Sequence, residues 1–131
     1  MVNEEKIIIS STDDTPSIII DGEKLFVRIE GPSFPENAVE FYVPIINILA
    51  EKIPTWNGNI NVEFEFSILS SASNKVIYEM LAKLEEFIKL GKEISIKWIY
   101  ESYDEDMLDE GLGYKECLKL PLELIEKEST T

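Results

Sequence analysis

Histidine is absent from this chain of 131 residues, and cysteine occurs once, as Cys117. Without histidine, the side chain that most often serves as a general base near neutral pH is missing. A lone cysteine excludes an internal disulfide and fits a reducing compartment. The burial habits of free cysteine predict Cys117 to be a small buried hydrophobe, and Lys115 and Lys119 would activate it only by approaching its sulfur. Long apolar runs are missing too: Val43 to Ala50 falls well short of the roughly 20 residues that span a bilayer. The opening Met1-Val2-Asn3-Glu4-Glu5 has neither a basic nor a long apolar region, so no secretory signal is expected and the expected location is cytoplasmic.

Basic residues are scarce, 12 against 26 acidic ones, for a net charge of −14. Such a surface repels phosphate backbones and anionic lipid, which argues against nucleic acid and membrane as partners. It favours solubility and a protein partner with a basic patch. The acidic run Asp104-Glu105-Asp106, with Asp109 and Glu110, lacks the ligand spacing and glycine of a calcium loop; acidic residues at a helix start complement the macrodipole without any metal. Gly111-Leu112-Gly113 alone is no phosphate-cradling loop. No catalytic residue, metal or cofactor is expected, and a small acid–base or metal enzyme is the most remote reading.

What is present is a globular composition, 44% hydrophobic and 10% aromatic, in a length that suits one domain over residues 1–131. Residues 1–14 read as an arm or extra edge strand around Ile7-Ile8-Ile9, and residues 126–131 as a frayed tail. Ser17–Asp21 and Leu25–Glu30 read as strands joined by a turn at Asp21-Gly22, and Gly31-Pro32-Ser33-Phe34-Pro35 breaks the pattern. Asn37 with Glu40 three residues on resembles a capping box. The helix it opens is predicted to place Val39, Tyr42, Val43, Ile46 and Leu49 or Ala50 on one face, with Pro44 kinking it or removing a hydrogen bond. Ile60, Val62, Phe64, Phe66 and Ile68 alternate with polar residues as a strand. Val76, Ile77, Met80, Leu81, Leu84, Phe87 and Ile88 form a helical stripe, closed by Gly91. Ile94, Ile96, Trp98 and Tyr100 alternate again. A short acidic helix from Asp104 is predicted to end near Gly111 or Gly113, and Leu118, Leu120 and Leu122 give a last short strand or helix. Strands that alternate, rather than running continuously apolar, imply a sheet open on one side. The expected fold is α/β, with a mixed sheet of about four to five strands and helices mainly on one face.

The candidate site lies between the strand that ends near Ile68 and the long helix, at Ser70, Ser71, Ala72, Ser73, Asn74 and Lys75. Ser71 or Ser73 is positioned to cap the helix, a purely structural role. A serine there also suits phosphorylation. A phosphate carries about −1.5 to −2 charges at neutral pH and would meet free N–H groups and the positive end of the helix dipole. Lys75, one turn on, would add a charge-assisted contact. A partner docked over the same helix end would meet a hydrated dianion and lose binding.

The block Gly31-Pro32-Ser33-Phe34-Pro35-Glu36-Asn37-Ala38-Val39-Glu40-Phe41-Tyr42-Val43-Pro44-Ile45-Ile46 resembles a Gly-x-Ser-Tyr-Pro-Glu-Asn-x-x-Glu-Phe-Tyr-x-Pro-Ile-Ile pattern of the SiaC family of regulatory phosphoproteins. Residues 70–75 resemble that family's Asn-Thr-(Ser/Ala)-Ser-x-Lys motif, and Gly91-Lys92-Glu93 through Trp98-Ile99-Tyr100 to Asp104-Glu105-Asp106-Met107 resembles a later block. The resemblance covers about Thr15 to Ile125. It implies a fold similar to the STAS-type antagonists of anti-sigma factors. It also implies a non-enzymatic partner switch acted on by a protein kinase and a phosphatase, and an effector that is a diguanylate cyclase of cyclic-di-GMP signalling. By position, the family's phosphothreonine falls on Ser71, with Ser70 and Ser73 as alternates, partner contacts at Asn74 and Lys75, and the motif loop at Pro35, Glu36 and Asn37. Serine stands for threonine at 71 and for asparagine at 70. Two rival readings are a constitutive protein-interaction module without phosphorylation and, remotely, the enzyme.

Overall fold

A computed structural model describes residues 6–128. Six strands form one sheet in sequence order: β1 (Lys6–Ile9), β2 (Ser17–Asp21), β3 (Phe26–Ser33), β4 (Ile60–Leu69), β5 (Ile94–Glu101) and β6 (Leu122–Lys127). The first three are antiparallel neighbours and β3 to β6 run parallel. Helices α1 (Ala38–Lys52), α2 (Ser71–Lys89) and α3 (Glu105–Cys117) make the three parallel crossovers. Right-handed crossovers that all step the same way along a sheet leave their helices on the same face. The mixed, one-sided α/β class is the expected one, but the sheet has six strands, because both ambiguous end segments join it as edges. Glu126 and Lys127, expected in the tail, pair with Tyr100 and Glu101.

The clean alternations fold as written. Val62, Phe64 and Phe66 of β4 and Ile96, Trp98 and Tyr100 of β5 point into the core. Their neighbours form an open polar face, where Arg28 Nη1 and Nη2 donate to Glu63 (2.6 Å) and Glu65 (2.7 Å) and Lys127 Nζ donates to Glu65 (2.8 Å). Phe64, Phe66, Trp98 and Tyr114 stack at centroid distances of 5.2–6.1 Å, and the Trp98 indole N–H donates to the Met107 carbonyl.

Four local expectations are corrected. The segment at Gly31 does not end β3. The strand continues to Ser33 across a bulge, with Gly31 opposite Phe66 and Pro32 opposite Ile68. That extra residue, Ser67, flips the side-chain phase, so Ile68 is 53% exposed instead of buried. In α1 the buried face is Ala38, Tyr42, Ile45 and Leu49, while Val39 and Val43 face solvent; the helix is apolar nearly all round, so periodicity left more than one solution for its inner face. Pro44 lies on the exposed side of a helix that runs on to Lys52. Helix α3 runs through both glycines to Cys117. A Cβ at Gly111 would sit 2.5 Å from Trp98 Cδ1, so this glycine serves close packing, not termination. Cys117 is exposed rather than buried, because it closes α3 at the rim of an open groove that it lines with Asn74, Tyr78 and Tyr114. No helix among the described residues is long and apolar enough to cross a membrane.

Candidate functional site: the paired starts of two helices

Parallel β3 and β4 deliver their following helices at the same end of the sheet, so α1 and α2 begin side by side. Asn37 caps α1, its side-chain oxygen accepting the Glu40 N–H at 3.0 Å. The cap of α2 is Ser70, whose Oγ accepts the Ser73 N–H at 3.1 Å. This corrects the expectation that Ser71 or Ser73 would cap: strand β4 ends one residue earlier than a cap at Ser71 requires, and the Ser70 N–H is already held by the Ser33 carbonyl at 2.9 Å. Ser71 is thereby the first residue of the helix, and it is exposed.

A groove between the two helix starts is lined by Glu36, Asn37, Val39, Ser71, Ala72 and Lys75, among others. The motif loop and the serine cluster, more than thirty positions apart in sequence, therefore share one surface. Pro35, just before Glu36 in the chain, is half-buried. Lys75 is exposed, one turn along from Ser71.

The remaining candidates divide. Ser73 is fully buried, so the folded protein offers its hydroxyl to no enzyme. Asn74 is tied inward: its amide donates to Glu110 of α3 and its side-chain oxygen accepts from the Tyr114 hydroxyl. Burial and the Glu110 charge push the Tyr114 phenol above its ordinary value, so it stays a donor. Among the described residues no cluster of acidic, cysteine or histidine side chains could hold a metal.

Sequence reasoning missed Ser33 and Tyr42. With Ser73 they form a buried hydroxyl cluster beneath the groove: Ser33 Oγ lies 2.9 Å from Ser73 Oγ and also contacts the Tyr42 hydroxyl. Burial pushes the Tyr42 phenol up to about 12, against the opposing pull of Ser33. Both residues sit inside the proline-bearing block, which was the available signal. Nothing in the sequence linked Asn74 to Glu110.

This is a one-sided α/β domain whose exposed polar groups gather at two adjacent helix starts, over a hydroxyl cluster buried too deeply to meet a substrate. The model of the SiaC family regulatory phosphoproteins matches residues 9–127. This chain belongs to the SiaC family. It is 24% identical over 113 residues to an uncharacterized protein of Pseudomonas aeruginosa strain UCBPP-PA14, covering 86% of this chain and 90% of that one. Its fold matches SiaC of Pseudomonas aeruginosa (TM-score 0.84, 21% identity, 94% of this chain and 99% of that one). It also matches the crystal structure of the diguanylate cyclase SiaD in complex with its activator SiaC from the same organism (TM-score 0.85, 22% identity, 92% and 99%).

Proposed function

We propose that this protein is a cytoplasmic phosphoswitch that regulates a diguanylate cyclase, and that Ser71 is the switch. The observation that carries this reading is the exposed Ser71 hydroxyl on the first turn of α2, beside the Glu36–Asn37 loop and Lys75 in one groove. Family membership supplies the regulatory class, and the complex of a similarly folded SiaC with SiaD supplies the kind of effector. A kinase adds phosphate to Ser71 and a phosphatase removes it. The unmodified groove binds the effector. The modified one presents about −1.5 to −2 further charges where the partner must desolvate the surface.

The test pairs mass spectrometry of the native protein with binding. A phosphate should map to Ser71 and disappear on phosphatase treatment. Titrated into the diguanylate cyclase of the same cells, Ser71→Ala should bind as the unmodified protein does, and Ser71→Asp should bind at least about tenfold more weakly. Equal binding by Ser71→Asp and Ser71→Ala, with no phosphate found, would leave a constitutive binding module with Ser71 as an ordinary helix residue.

A further inference from the structure

A protein that buries three hydroxyls in one place gives up their hydration, and the arrangement persists only where the groups satisfy one another. Ser33, Tyr42 and Ser73 are each 0% exposed and come from three different elements: the end of β3, the buried face of α1 and the first turn of α2. Ser33 joins them, and it does so twice over. Its Oγ donates to Ser73 Oγ at 2.9 Å and, its single proton thus committed, accepts from the Tyr42 hydroxyl. Its carbonyl accepts the Ser70 N–H at 2.9 Å. Ser70 in turn caps the Ser73 N–H with its side chain and accepts the Asn74 N–H at its carbonyl, 2.8 Å away. Four hydrogen bonds that fix the turn bearing Ser71 therefore lead back to Ser33 within two steps, beside the separate hold of Glu110 and Tyr114 on Asn74.

Apolar residues would fill this space at lower desolvation cost, but they would not fix direction. Helices packed through methyl groups slide and rotate by small amounts, whereas a chain of hydrogen bonds from α1 through β3 to α2 has one geometry. We infer that Ser33, Tyr42 and Ser73 form a buried latch that holds the first turn of α2 in register against α1, making all three positioning residues for Ser71 and its groove. The latch stands on geometry alone; its value to regulation rests on the Ser71 reading. Tyr42 is the far end of the latch, so it reports on α2 while contributing nothing to the groove surface.

Amide hydrogen exchange on the whole protein tests it, using Tyr42→Phe, which keeps the ring, and Ser33→Ala. Tyr78→Phe, on the outer side of α2 and 40% exposed, is the control. In both latch variants the Ser73 and Asn74 amides should exchange about tenfold faster, while Phe64 and Ile96 in the central strands keep their protection. A uniform loss across the sheet would mean a merely structural contribution and overturn the inference, as would unchanged exchange in Tyr42→Phe. Effector binding separates the two proposals. With an intact Ser71 switch, the affinity ratio between the Ser71 and Ser71→Asp forms should shrink several-fold in the Tyr42→Phe background and hold in Tyr78→Phe. If the protein with Tyr42 intact shows no such ratio, the Ser71 reading fails and the exchange result alone decides the latch.

Discussion

Three residues, Glu65 on the sheet and Gly111 and Gly113 in α3, show how much a single position carries. Burial alone would raise the Glu65 carboxyl, but hydrogen bonds from Lys127 and Arg28 outweigh it and hold the group below its ordinary value of 4.5. Because the folded value is depressed, the stabilisation is complete above the unfolded value and is lost as pH falls through the folded one. Thermal melts should therefore show a midpoint that drops as the pH is lowered below about 4.5, and Glu65→Gln should flatten that part of the profile. Gly111 and Gly113 make a second test, of opposite signs. A Cβ at Gly111 meets Trp98 at 2.5 Å and Leu124 at 2.6 Å, whereas one at Gly113 meets nothing within 4 Å. Gly111→Ala should cost about 1–3 kcal/mol by overpacking. Gly113→Ala should stabilise by up to about 1 kcal/mol through helix propensity. Urea midpoints distinguish the two directly.

At the scale of elements, α2 is where stability and regulation must be separated. Removing the cap in Ser70→Ala should cost about 0.5–2 kcal/mol of folding stability. Placing a charge at the helix start in Ser71→Asp should instead be neutral or stabilising by about 0.3–1 kcal/mol. Chemical denaturation of both variants checks this, and it matters: an effector lost by Ser71→Asp with undiminished stability is lost to charge, not to unfolding. The elements also show what the sequence could and could not reveal. Strands β4 and β5 and helix α2 were legible because one face of each is apolar and the other polar, so periodicity had a single solution. Helix α1 was legible as a helix but not in rotation, since Val39 and Val43 are as apolar as the residues buried opposite them. The bulge at Ser67 and the passage of α3 through Gly111 are set by neighbouring strands and by the Trp98 ring, which no local pattern encodes. Within the site, the capping chemistry was visible in the serine cluster, but its register depended on where β4 releases the chain. The buried hydroxyl cluster depended on contacts forty residues apart.

For the molecule as a whole, architecture and charge point the same way. Stepping β3, β4 and β5 in one direction brings the starts of α1, α2 and α3 to one end of the sheet, with their capping residues Asn37, Ser70 and Asp104. Helix starts carry positive partial charge, yet the chain around them is strongly acidic, with a net charge of −14. Long-range attraction therefore selects partners with basic surfaces, and the phosphorylation proposed at Ser71 would add to the acidic field rather than reverse it. The two components predict different kinetics. Association of the unmodified protein with the proposed diguanylate cyclase effector should slow steeply as salt rises from about 0.05 to 0.5 M, because the attraction acts before contact and is screened beyond a Debye length. Dissociation, governed by short-range contacts such as exposed Val39 and Val43, should change little. Stopped-flow or surface-plasmon measurements across that range resolve the two rates. An association rate indifferent to salt would mean that the acidic surface serves solubility alone and that the groove recognises its partner by shape and apolar contact.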